Sequence, residues 1–162
     1  MEKKTYKDYM RIDEKWYIQK MKLLDKKIAS YDNWFMSNTK WKKLFLTIFE
    51  NTNVIKQCEI VVFRLENFNW INNVNLNIKL DEVDKYLYDD YIDVCLSGGH
   101  DTLCYREIEY LEFRKYNYEW IGSAVLKKEE LQNTSFIKEV ISKIGLFHWE
   151  ETEEYIRIYG YK

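Results

Sequence analysis

The sequence predicts an α+β domain: a single domain whose mostly antiparallel sheet packs against two or three helices. Three observations predict it. Stretches with helical spacing and stretches of β-branched alternation fall in separate blocks, which favours an antiparallel sheet over a doubly wound parallel one. Turns rich in Asn, Asp and Gly join them, and there is no proline. Hydrophobic residues make up 46% of 162 residues, and a chain of that length folds as one domain and buries roughly 70% of its unfolded surface.

Each element has its own signal. Residues from about Tyr6 to Ile28 read as a helix, with Trp16, Met21, Leu24 and Ile28 at spacings near three and four. The whole chain, 1–162, reads as one domain. Ser37 or Asn38 caps a second helix, in which Trp41, Leu44, Phe45, Ile48 and Phe49 form one apolar stripe. Asn51 and Asn53 end it. Glu59 to Leu65 is β-branched and aromatic and reads as a buried strand. The alternation Val74, Leu76, Ile78, Leu80 adds another. Tyr91 to Leu96, a turn over Ser97 to Asp101, and a long strand from Thr102 to Arg114 make a hairpin. Tyr116 to Leu126 continues the sheet, with Trp120, Ile121, Val125 and Leu126 buried. A third helix runs from Thr134 to about Ile144, and Gly145 stops it. Leu146–Glu150 and Tyr155–Tyr159 form a terminal hairpin.

Composition narrows the function. No apolar run reaches the 18 residues of a membrane-spanning helix, and Met1 to Tyr6 lacks the apolar stretch of a signal peptide. The chain is expected in the cytoplasm, with no membrane partner. Its three cysteines, Cys58, Cys95 and Cys104, are an odd count and make no disulfide framework. Aromatic residues reach 17%, with six Trp and fourteen Tyr. Tyr and Trp combine a large apolar body with a polar handle, which suits interfaces.

The net charge of −2 is unevenly spread. Residues 1–56 hold 13 Lys and Arg against 7 Asp and Glu, and residues 57–162 hold 12 against 20. The nine basic residues among the first 27 are interleaved with acids. They read as a solvated helix face, which argues against nucleic acid as the partner; a basic N-terminal arm for nucleic acid is an alternative.

No catalytic or metal motif stands out, and no cofactor is expected. Cys95, His100, Asp101 and Cys104 carry the residue types of a zinc site, but without a second paired-ligand motif. A small enzyme using Cys95 or Cys104 with His100 is the alternative reading. No phosphate-binding glycine loop is present. The most suggestive cluster is acidic and aromatic: Asp81, Glu82, Asp84, Tyr86, Tyr88, Asp89, Asp90, Tyr91 and Asp93. Carboxylates there suit a basic protein surface, and tyrosines supply anchors. A solvated face with partly buried tyrosines would look the same.

Three short segments add a resemblance. They are Asn38-Thr39-Lys40-Trp41 at a helix start, Ile108-Glu109-Tyr110-Leu111-Glu112 in a strand, and Tyr159-Gly160-Tyr161. In this order the pattern resembles a family of small uncharacterised bacterial proteins, themselves similar to immunity partners of polymorphic toxins. The resemblance implies a protein partner, a toxin domain, and the acidic cluster suits a basic surface on it, such as the groove of a nuclease. It also implies that residues 1–36 are a helical N-terminal extension to the domain. It implies no catalytic residue. A homo-oligomeric module is a further reading.

Overall fold

A computed structural model of the chain describes residues 5–9, 14–63, 75–77, 87–96, 99–145 and 147–162. The α+β class holds. The helices are α1 (Tyr6–Tyr9), α2 (Glu14–Ala29), α3 (Asn38–Glu50) and α4 (Thr134–Ile144). The strands are β1 (Glu59–Val62), β2 (Asn75–Asn77), β3 (Tyr91–Leu96), β4 (Gly99–Cys104), β5 (Ile108–Arg114), β6 (Tyr116–Ile121), β7 (Ala124–Glu130), β8 (Trp149–Glu151) and β9 (Tyr155–Tyr159).

The main sheet has five strands in the order β2-β1-β5-β9-β8, and every neighbouring pair is antiparallel. α3 begins where the Ser37 hydroxyl accepts a hydrogen bond from the Lys40 amide at 3.2 Å. That bond satisfies one of the free N–H groups of the first turn. Its stripe of Trp41, Leu44, Phe45 and Ile48 is buried, together with Ile137 and Ile141 of α4. These side chains pack on Ile60, Val62, Leu111, Phe113, Ile156 and Ile158 of the sheet. The amide of Phe136 bonds the Asn133 side chain at 3.0 Å, which caps α4. Gly145 ends that helix in extended backbone, not in a left-handed cap.

A second, smaller core seats the N-terminal helices. Leu24 and Ile28 of α2 are buried with Tyr6, Phe63, Tyr91, Cys104 and Tyr161.

Three expectations from the sequence change. The turn expected over Ser97 to Asp101 is shorter, because Gly99, His100 and Asp101 already pair with Leu96, Cys95 and Val94 in the β3–β4 ladder. The long strand from Thr102 to Arg114 is broken by a 3-10 turn at Tyr105–Glu107, so β4 and β5 belong to different sheets. The break is anchored on both sides: the Tyr105 amide donates to the Asp90 carbonyl at 3.0 Å, and the Phe63 amide donates to the Glu107 carbonyl at 2.9 Å. The segment from Tyr116 to Leu126 does not continue the main sheet. It turns at Gly122-Ser123, where Gly122 has φ 59, a left-handed conformation open to glycine at little cost. Among the described residues, β6 and β7 then pair only with each other.

Segments 38–41, 108–112 and 159–161 meet at one point. A Cβ placed on Gly160 would lie 2.6 Å from the Ile108 carbonyl oxygen, 3.0 Å from the Trp41 ring and 3.3 Å from the Glu109 carbonyl oxygen. The Gly160 amide donates to that Glu109 carbonyl at 2.8 Å, and its own carbonyl accepts from Phe35 at 2.9 Å. Glycine is required here by close approach.

Candidate protein-binding surface

The β6–β7 hairpin stands apart from both cores. Trp120, Ile121, Val125 and Leu126 were expected inside, yet they are 57%, 63%, 48% and 58% exposed. Every residue of β7 is exposed. The reason is topological: among the described residues this strand pair is not hydrogen-bonded to the main sheet, and its apolar side chains belong to neither buried cluster. The hairpin is fixed at its base, where the Leu131 amide donates to the Lys115 carbonyl at 2.8 Å and the Lys115 amide to the Glu154 carbonyl at 2.9 Å. The Tyr118 hydroxyl also donates to Glu154 at 2.5 Å.

One face of this arm is an aromatic ladder. Tyr116, Tyr118 and Trp120 alternate along β6, with ring centroids 6.4 and 6.0 Å apart. The Lys128 ammonium lies 4.1 Å from the Tyr116 ring centroid and 5.7 Å from that of Tyr118. Sequence periodicity missed the arm because its apolar residues look like those of any half-buried strand. The turn dipeptide Gly-Ser between two alternating runs was the signal available.

The acidic and aromatic cluster is divided. Asp81, Glu82, Asp84 and Tyr86 lie outside the described residues. Tyr91 is buried in the second core and stacks on Tyr88 at 4.3 Å. The Asp90 carboxylate accepts the Tyr6 amide at 2.9 Å. Burial pushes the Asp90 carboxyl above its ordinary value, and the hydrogen bond from Tyr6 works against that rise. Asp89 is exposed and pairs with Lys42, and Asp93 accepts the Thr102 hydroxyl at 3.3 Å. Tyr88, Asp90 and Tyr91 thus tie the N-terminal helices to the body, while Asp89 faces solvent.

The cysteine and histidine pattern also resolves in part. Cys95 pairs with His100 across the β3–β4 ladder, and Cys104 pairs with Tyr91, so Cys95 and Cys104 do not oppose each other. The Cys104 thiol is buried, and desolvation together with the nearby Glu107 carboxylate pushes it well above its ordinary value. Burial pushes the Cys58 thiol up to about 12. Neither thiol is activated as a nucleophile. Among the described residues no group of three or more His, Cys, Asp or Glu could hold a metal ion.

One buried ion pair was not foreseen. Lys20 and Glu107, 2% and 1% exposed, approach to 2.5 Å. The Lys20 ammonium donates to the Tyr6 hydroxyl at 2.6 Å and lies 5.1 Å from the Trp16 ring centroid. The Glu107 Oε2 accepts the Cys104 amide at 2.9 Å. A lone lysine on a helix stripe carries no sequence signal that marks it as buried.

No family model, curated protein or solved structure matches the chain. Among the described residues no helix is long and apolar enough to cross a membrane.

Proposed function

We propose that this chain is a cytoplasmic protein-binding module of the toxin-immunity kind, which neutralises a partner toxin by binding it. The observation that carries the reading is the β6–β7 arm: four large apolar side chains are held in solvent on an element that contributes to neither core. Contiguous apolar surface of this sort marks interaction sites, and Trp and Tyr are the residues most often found at energetic centres of protein interfaces. Asp89 is already paired with Lys42; the exposed Glu119 and Glu130 of the arm support a basic partner through charge complementarity.

The test is affinity capture from cells that make the chain. Wild-type protein should retain one stoichiometric partner that a Trp120→Ser, Leu126→Ser variant releases. Cells expressing that partner should grow only when the chain is present. Unimpaired growth with the partner alone would remove the immunity reading and leave protein binding.

A further inference from the structure

We infer that the β6–β7 arm enters an apolar pocket on a protein whose rim is basic, a deepening that rests on the protein-binding reading above. The tip is apolar on both faces. Trp120 is directly opposite Val125, and Ile121 is opposite Ala124; neighbouring positions along a strand point to opposite sides. No charged residue lies between Glu119 and Lys127. A flat contact needs only one apolar face, whereas a finger apolar on both faces needs surroundings that enclose it.

The main chain of the arm is not the contact. The ladder shifts register between Glu119 and Trp120, and Lys127 and Lys128 follow on β7. Bulges and lysines on an edge strand oppose the addition of another strand. That sets aside a second copy of this chain extending the hairpin.

Charge below the tip separates the two enclosing surroundings, a bilayer and a protein pocket. Glu119, Glu129, Glu130, Glu153 and Glu154 are all exposed around the base. Within the arm and the neighbouring turn, Lys127 and Lys128 oppose them, so five negative and two positive charges leave −3; Lys115 at the base is paired with Glu151 and adds no net charge. Lys127 is already paired with Glu129 at 2.5 Å, and Lys128 lies over the Tyr116 ring. Anionic headgroups would be repelled by this collar at the depth where the tip enters. A basic rim would be attracted, and a cleft that holds phosphates, as in a nuclease, has such a rim. From Ser123 to Lys127 the chain advances four residues, on the order of 13 Å in extended backbone, so the pocket is a cleft of about that depth.

The experiment uses the full chain and the partner it captures, immobilised for affinity measurement at low and high salt. Three variants are compared, each first shown to keep the wild-type melting temperature: Trp120→Ser with Leu126→Ser at the tip, Glu119→Lys with Glu129→Lys and Glu130→Lys at the collar, and Trp34→Ser as an exposed control. The tip variant should lose on the order of thirtyfold in affinity. The collar variant should bind more weakly and lose most of the salt dependence, and the control should bind as wild type. A captured partner that binds the tip and collar variants undiminished overturns this inference and leaves the protein-binding reading standing. Two further probes are vesicles of zwitterionic and anionic phospholipid, and the chain alone in the ultracentrifuge. Tip-dependent sedimentation with vesicles, or tip-dependent self-association, with no protein partner retained, overturns both.

Discussion

Lys20 carries its charge into the interior, and Glu107 is what makes that tolerable. Removing one member of a buried pair leaves the other charge uncompensated, which costs about 3–5 kcal/mol. Glu107→Gln should therefore lower stability by that order in denaturant unfolding. The double variant Lys20→Met, Glu107→Leu should recover most of the loss, because replacing both charges by apolar groups removes the desolvation cost as well. If the double variant is no better than Glu107→Gln, the pair is not the source of the effect. The buried acids set a second expectation. Cys58 and Tyr161 ordinarily titrate at 9.0 and 10.0, and burial raises each to about 12 in the folded state. A raised value favours the neutral form in the native protein. The associated stability is therefore whole below pH 9 and is lost as pH climbs through 12. The urea midpoint should fall steadily across that window, and native Cys58 and Cys104 should resist thiol reagents at neutral pH. None of this was legible from the sequence. Lys20 is one of nine basic residues in its stretch, and only the distant 3-10 turn tells it from the others.

At the scale of elements, caps and stripes were readable because they depend on neighbours in sequence. Ser37, one of the two cap candidates, caps α3, and of the expected stripe Trp41, Leu44, Phe45 and Ile48 are buried while Phe49 is partly so. Ser37→Ala should destabilise by about 1 kcal/mol. Breaks between elements were less legible, since they depend on partners far along the chain. The turn at Tyr105–Glu107 exists because Asp90 and Phe63 hold it, and alternation from Thr102 to Arg114 hides it. Gly160 is the opposite case: a conspicuous residue whose reason appears only in three dimensions. Gly160→Ala should be folded but destabilised by about 1–3 kcal/mol, as expected of overpacking, with the Trp41 emission spectrum shifted. An unchanged stability would mean that the sheet yields easily at this junction. Trp41, the Ile108-Glu109 backbone and Gly160 therefore have a structural role in common: they form one tight contact.

Over the whole molecule, the division between body and arm matters most. The α+β class and the main core followed from pattern, because burial imposes period and the period survives in the sequence. The arm did not, because an exposed alternating pair and a half-buried one have the same period. Residues such as Trp120 and Leu126 are distinguished by their exposure, 57% and 58%. Trp120→Ser should then leave stability within about 0.5 kcal/mol of wild type, as for other surface changes. Ile158→Ala, in the main core, should cost about 2–5 kcal/mol. Calorimetry on the two variants compares body and arm directly, and a large loss for Trp120→Ser would return the arm to the fold.

The strand order has a consequence for how the molecule is made. β9 comes after every other described strand in the chain yet lies inside the sheet, between β5 and β8. On the ribosome, β5 therefore emerges with one edge open, and forty residues, 115–154, are added before its partner begins. During that interval Leu111 and Phe113 lack the Ile156 and Ile158 side chains that later cover them, and the open edge is a template for the wrong strand. A ribosome stalled before residue 155 should display a nascent chain that proteases cut and chaperones hold, and release of a few more residues should close it.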